Sequence, residues 1–411
     1  MKKCIATFLA LSLALSLFCG ASALASDFKK CGEDLTWSVV DGVLTISGTG
    51  DMYDYSSENP APWTNVLREI IIEPGVTSIG DYAFHHVEGN ITFTKDPDTG
   101  EWIVAKGPVE VVSIPEGMRR IGERAFAHVH IEEIEIPATV TEIESDAFAG
   151  CIFLKKAVFL GAPETIGIHA FGTSGLEEII IPERLKTIGD YAFSGCRWIK
   201  RIYIPASVES IGKDAFFGTA SVESIEVSED NENYKAVGGC LIETEGKRLL
   251  AAASDCAIPA DGSVEIIGGG AFANRTGLVS LEIPEGVKEI EDNEFACCEN
   301  LVSVFIPKSV EKIGTNAFRW CNSLVIRCYS GSFAHRFAEK KGIAFELVYE
   351  GDFDNDGDIT VADALSALRI AARLADPVEK FGSLVGDMDG DGEITVSDAI
   401  DILRIAARLT K

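Results

Sequence analysis

A phenylalanine returns along most of this chain at a step of 22 or 23 residues. One run is Phe126, Phe148, Phe171, Phe193 and Phe216, and a second is Phe272, Phe295 and Phe318, with Phe84 ahead of both. Each sits in a copy of one phrase, as in EIEIPATVTEIESDAFAGC, EIIIPERLKTIGDYAFSGC and SVFIPKSVEKIGTNAFRWC. A unit this short cannot bury its own apolar face, so neighbours must stack into a solenoid with one continuous core.

The unit SLEIPEGVKEIEDNEFACCENL, residues 280–301, shows how the composition follows. On a strand with a two-residue side-chain period, Leu281 and Ile283 point inward and Glu282 outward. Pro284 ends the strand. Val287 and Ile290 return to the core, and Phe295 fills it from the turn side. The phenylalanines are therefore core rather than a ligand box. Period and short strands together define a mainly β, leucine-rich-repeat type solenoid.

Four cysteines obey the same register. Cys151, Cys196, Cys298 and Cys321 each follow a marker phenylalanine by three residues, which favours small buried thiols over bridges. At these residues the chain resembles the BspA-like leucine-rich-repeat family of bacterial surface proteins, with its IP-xx-V-xx-IG-xx-AF-xx-C consensus. That resemblance covers about residues 65–345 and implies binding without naming a ligand.

The outward strand positions are Ile71, Ser113, Glu135, Val158, Ile180, Tyr203, Glu226, Glu282 and Phe305. The apolar ones, Ile71, Val158, Ile180, Tyr203 and Phe305, offer a solenoid face for a ligand; strand propensity also accounts for such residues. Two stretches break the period. Residues 87–108 carry Asp-Pro-Asp-Thr-Gly between alternating segments, and residues 228–257 contain YKAVGGCLIETEGKRLLAAA. Both read as inserted hairpins. Cys240 and Cys256 flank the second and are a candidate disulfide pair. Residues 26–64 read as a β N-terminal cap, and residues 65–349 as the solenoid with its inserts and closing cap.

A different pattern occupies residues 350–411. DFDNDGDITVAD, residues 352–363, recurs as DMDGDGEITVSD, residues 387–398. Each copy places carboxylates at loop positions 1, 3, 5 and 12, glycine at 6 and isoleucine at 8, the oxygen cage a Ca²⁺ ion takes. The expected ligands are Asp352, Asp354, Asp356, Asp358, Thr360 and Asp363, then Asp387, Asp389, Asp391, Glu393, Thr395 and Asp398, for two ions. Gly357 permits the turn, and Ile359 and Ile394 should pair in a short β-bridge. Crowded carboxylates repel without metal, so calcium binding should be coupled to folding.

Near-identical helices, ALSALRIAARL and AIDILRIAARL, follow the loops, and none precedes the first. At these residues the chain resembles a type I dockerin, the calcium-dependent module that plugs subunits into cohesin domains of a scaffoldin. By position in that family, the cohesin-facing residues are Val361, Ala362, Leu368, Arg369 and Arg373, then Val396, Ser397, Leu403, Arg404 and Arg408. The Ser-Thr pair of one specificity group is absent from both copies. The alternative for the arginines is a solvated helix face, since i and i+4 share a side.

Residues 1–25 read as a secretory signal peptide: Lys2 and Lys3, an apolar run from Ile5 to Phe18, then Ala23-Leu24-Ala25. Phe18 makes Cys19 a poor lipoprotein site. The formal net charge of −28 opposes binding to nucleic acid or an anionic membrane surface. No other apolar run approaches a membrane span. No GxSxG, HExxH or phosphate loop occurs. His85, His86, His128 and His130 fall in consecutive repeats and could gather as transition-metal ligands, although exposed turn histidines are the simpler reading.

The expected function is that of a secreted, non-enzymatic binding protein, held at the cell surface or in a complex. Its solenoid engages an extracellular protein or glycan, and its C-terminal module docks by calcium onto a cohesin. Two other readings stay open: a subunit of a polysaccharide-degrading, cellulosome-like complex, and a calcium-stabilised surface protein with no cohesin partner.

Overall fold

The computed structural model describes residues 29–408 apart from 64–66, 88–92, 96–101, 105–108, 110, 162, 355–357, 381–382 and 390–391. Residues 1–25, read above as a signal peptide, lie outside the described residues, as do Asp356, Gly357 and Asp391.

Each repeat contributes two short strands rather than one. The IP segment forms the first, as at Glu133–Ile136, which pairs in parallel with Lys156–Phe159. The second comes ten or so residues later, as at Glu142–Ile143, between Arg120–Ile121 and Thr165–Ile166. Stacking repeats thus builds two parallel ladders that enclose the core. Isoleucine carries the inward position of both: Ile134, Ile136 and Ile143 are all buried.

The phenylalanine rings stack along the axis. Centroids lie 5.0 Å apart for Phe84–Phe126, 5.3 Å for Phe126–Phe148, 5.1 Å for Phe148–Phe171, 5.7 Å for Phe171–Phe193 and 5.8 Å for Phe193–Phe216. Trp63 closes one end, stacked 5.7 Å from Phe84, and it donates its Nε1–H to the Ala83 carbonyl. The N-terminal cap is a long antiparallel hairpin, Gly32–Val40 with Val43–Met52, whose second strand starts both parallel ladders.

The marker cysteines bond between repeats. Cys151, Cys196, Cys298 and Cys321 each place Sγ 3.0 Å from the carbonyl of the preceding marker phenylalanine, Phe126, Phe171, Phe272 and Phe295 respectively. All four are free thiols. Burial pushes Cys151 up to about 12 and Cys196 up to about 11, so these are inert core groups.

Both period breaks contain added strands. Phe93–Lys95 pairs antiparallel with Trp102–Val104, the expected first hairpin. The second insertion is larger than the expected hairpin. Tyr234–Val237, Cys240–Glu243 and Arg248–Ala252 form an antiparallel meander, and its last strand joins the parallel ladder at Ile266–Ile267. Cys240 and Cys256 form a disulfide beside it. The core divides here into two clusters, one on each side of the insertion. Phe217 lies against Gly270, where even a Cβ would meet its ring.

In every turn but that of Phe318, two residues adopt left-handed backbone, two before and two after the marker phenylalanine. Asp146 and Gly150 around Phe148, and Tyr191 and Gly195 around Phe193, are examples. After the last repeat, helix α1, Phe333–Lys341, places Phe337 6.3 Å from Phe318. Strand Ala344–Val348 then pairs with Val325–Tyr329 as the closing cap. Helices α2, Val361–Ala371, and α3, Val396–Ala406, pack on each other around Ala364, Ala367, Ile370, Ala399 and Ile402. Lys308 is ion-paired with Glu350, just before the first acidic loop.

Candidate functional sites: paired acidic loops and the solenoid face

The two acidic loops are built alike. Carboxylate oxygens of Asp352, Asp354 and Asp363 lie within 4.8 Å of one another, as do those of Asp387, Asp389 and Asp398. Each position-12 aspartate is buried and anchors its loop. Asp363 accepts from Thr360 N at 2.8 Å, Thr360 Oγ1 at 2.9 Å and Phe353 N at 2.8 Å. Asp398 accepts from Thr395 N, Thr395 Oγ1 and Met388 N, all at 2.8 Å. Thr360 and Thr395 also cap α2 and α3 in a reciprocal capping box. Burial opposes ionisation of both aspartates, yet these donors hold each below the ordinary carboxylate value.

Gly392 has φ of +88° and donates to Asp387 Oδ2 at 2.9 Å, so the second loop turns where a Cβ would be strained. Asp358 and Glu393 are exposed at the position that offers a backbone carbonyl, and Thr360 and Thr395 are half-buried. The expected bridge between Ile359 and Ile394 is corrected: neither belongs to a strand, and both side chains pack into the small core between the helices. Apolar packing, rather than a ladder, joins the loops.

An expected consequence is testable without metal. Asp363→Ala removes three accepted hydrogen bonds and the capping box, and should lower the stability of the C-terminal module by about 1–2 kcal/mol. Denaturation in chelator, followed by helical circular dichroism, measures it; an unchanged midpoint would refute the anchoring role.

All ten expected partner residues of the helices are exposed. Arg404 is held by Asp401 at 2.8 Å, and Arg373 and Arg408 both have φ of +56° just past their helices. Sequence reasoning passed over Leu365 and Ile400. They stand exposed between Val361 and Leu368, and between Val396 and Leu403. Their i, i+4, i+7 spacing was the available signal, because it puts each triad on one helix stripe. The two helices thus carry duplicated apolar stripes.

On the solenoid, Ile180 is exposed and lies in register with Tyr203, which is followed by Glu226. Val158 is in register with Glu135. Ile71 is half-buried opposite Ser113. The expectation for Phe305 is corrected: it is 1% exposed. Tyr329 meets it edge-on at 5.8 Å, and Lys308 covers that tyrosine. The closing cap therefore removes Phe305 from the surface. The apolar positions Val158, Ile180 and Tyr203 fall between Glu135 and Glu226, with Ile180 and Tyr203 paired in one sheet and Val158 in the preceding one.

On the turn edge, the His86 and His128 rings stack 4.7 Å apart and His85 lies 4.1 Å from His86. Partial burial, then the two neighbouring rings, lowers His85 to about 4. His130 is separate and packs on Phe153.

Two parallel ladders around a stacked core define the leucine-rich-repeat class of solenoid. Residues 63–159, 119–236 and 253–332 match the BspA type leucine rich repeat region, in six copies. The chain belongs to this family. The matched spans stop short of the acidic loops. A leucine-rich repeat protein from Eubacterium ventriosum ATCC 27560 shares the fold at 24% identity and TM-score 0.51, over 73% of this chain and 72% of that one. The pneumococcal vaccine antigen PcpA is similar at 17% identity and TM-score 0.44, over 72% and 80%. A leucine rich cell surface protein from Faecalibacterium prausnitzii A2-165 is similar at 20% identity and TM-score 0.41, over 77% and 98%. No match to a curated protein is significant. Among the described residues no helix is long and apolar enough to cross a membrane.

Proposed function

We propose that the protein is an extracellular, non-catalytic binding protein with a calcium-held docking module at residues 350–411. The observation that carries this reading is the duplicated carboxylate cluster of the two loops. Oxygens around one Ca²⁺ at about 2.4 Å can lie no more than about 4.8 Å apart. Both triads meet that limit. Every donor is a hard oxygen, the chemistry that Ca²⁺ prefers. Asp352, Asp354 and Asp363 would hold one ion, and Asp387, Asp389 and Asp398 the other. A bound ion would neutralise the crowded carboxylates and pull each loop onto the start of its helix.

The module then presents its apolar stripes as a dockerin presents its helices to a cohesin. Docking leaves the solenoid free, and its Val158–Ile180–Tyr203 stretch gives a protein or glycan a surface to contact. Solenoids of stacked repeats offer extended binding surfaces of this kind.

Capture on immobilised cohesin domains tests the docking. Recovery should be lost in chelator and in the Asp352→Ala plus Asp387→Ala chain, and restored by calcium only in the native chain. Equal recovery with and without calcium would overturn it. Calorimetry with CaCl₂ separates the two parts of the proposal: two calcium ions bound but no cohesin captured would leave a calcium-stabilised surface protein. Glycan and matrix-protein arrays with the full chain address the solenoid ligand.

A further inference from the structure

We propose that His85, His86 and His128 form a binding site for a divalent transition-metal ion of the zinc class. Their ligand nitrogens all lie within 4.8 Å of one another. Zn²⁺ holds imidazole nitrogens at about 2.0–2.1 Å, which places two of them about 3.3 Å apart. Binding an ion would require side-chain rotation to close that gap. Imidazole is a borderline ligand, suited to zinc, nickel and copper rather than to calcium or magnesium. This cluster and the acidic loops therefore select different ions.

The solenoid assembles the cluster by register. His86 and His128 each follow a marker phenylalanine by two residues, in consecutive repeats. Both have left-handed backbone, with φ of +57° and +60°. Their amides donate to the next turn, His86 N to Ala127 O at 3.0 Å and His128 N to Ala149 O at 2.7 Å, which fixes the spacing between the rings. In the following repeat the equivalent residue is Gly150, and a Cβ there would strike the His128 ring at 2.3 Å. The glycine leaves that ring its room.

The surroundings permit a cation. Arg124, a neighbouring positive charge, is bound to Asp146 at 3.1 Å and to Tyr82 Oη at 2.7 Å. Asp146 also holds His169 at 2.7 Å, so that fourth histidine is engaged elsewhere. Clefts open on both sides of the cluster: one of about 380 Å³ beside His85 and His86, one of about 270 Å³ beside His85 and His128. Three protein ligands leave a fourth tetrahedral position for water or for a group from a binding partner.

The test is calorimetric titration of ZnCl₂ into the full chain, made without a histidine tag, in saturating CaCl₂ so that the acidic loops are filled. One zinc ion per chain is expected. His86→Gln and His128→Gln should each weaken binding at least about tenfold, and His335→Gln in α1 should not. Absorption of the Co²⁺-loaded chain should show tetrahedral nitrogen ligation that disappears in the two variants. These side chains are exposed, and an unchanged melting midpoint verifies that the variants fold. Undiminished zinc affinity in the chain with His85, His86 and His128 all changed to glutamine would overturn the proposal, as would no zinc binding by the native chain.

Discussion

Phe148→Ala should lower the unfolding free energy by about 3–5 kcal/mol. The ring is fully buried and stacked between Phe126 and Phe171, at 5.3 and 5.1 Å. Two effects add. Transfer of the ring out of the core is lost, and a cavity remains because both neighbours are held by their own turns. Phe148 N donates to Ala170 O and Phe126 N to Ala147 O, so the backbone on either side is pinned to the next repeat. In a solenoid each unit leans only on its neighbours, so a gap in the middle weakens two interfaces at once. Phe318 is 7% exposed and next to the end, with one stacked partner, Phe295, at 5.0 Å. Phe318→Ala should therefore cost less. Urea denaturation of both variants decides the matter: equal losses, or a loss under about 1 kcal/mol at Phe148, would contradict a continuous stacked core.

The second large effect is a pH slope set by Glu294. This carboxyl is buried, and burial raises it to about 8 from 4.5, although the Gly270 and Ala271 amides, at 2.9 and 3.1 Å, act in the opposite direction. Its position has a structural cause. Elsewhere the amide two residues before a marker phenylalanine donates to a carbonyl of the next turn, as Arg124 N does to Ser145 O and Tyr191 N to Lys213 O. At Gly270 the Glu294 side chain takes that donor instead. Between about pH 4.5 and 8 the folded chain keeps a proton that the unfolded chain has released. Stability from this group is thus full below 4.5 and falls as pH rises, by up to about 1.4 kcal/mol per unit. Glu294→Gln should flatten that slope while keeping an acceptor for one amide. Denaturation midpoints of both chains from pH 4.5 to 8 provide the comparison. Parallel curves would mean that Glu294 is ionised in the fold.

Much of this architecture could be read from the residues. The phenylalanine period, the cysteine register and the two-residue alternation of the IP segments each report one repeating environment, so many copies reinforce one inference. The second ladder was harder to see. Most of its strands are only two residues long, as at Thr187–Ile188, and two residues show no alternation. Phe305 was misplaced because its outward direction is local, while its cover comes from Tyr329 of the closing cap, with Lys308 of its own repeat over that ring. Glu294 looks like any acidic turn residue until the glycines around Gly270 give the break in the core its geometry. In the loops the repeated carboxylate spacing pointed to the two triads whose oxygens the fold brings within 4.8 Å of one another. Leu365 and Ile400 stayed hidden because an apolar helix residue reads as core until the packing between α2 and α3 shows which stripe is left outside.

The left-handed column beside the phenylalanines sets a limit on how stable this molecule can be made. At the position two residues after each ring, Gly150, Gly195 and Gly218 adopt positive φ without penalty. His86, His128, Thr173, Asn274, Cys297 and Trp320 adopt it with a side chain in place, a conformation that disfavours most L-residues by about 1 kcal/mol or more. Glycine at those six sites would toughen the rod against heat and strip one edge of its chemistry. Robustness and surface identity compete there residue by residue, with the core untouched by either choice.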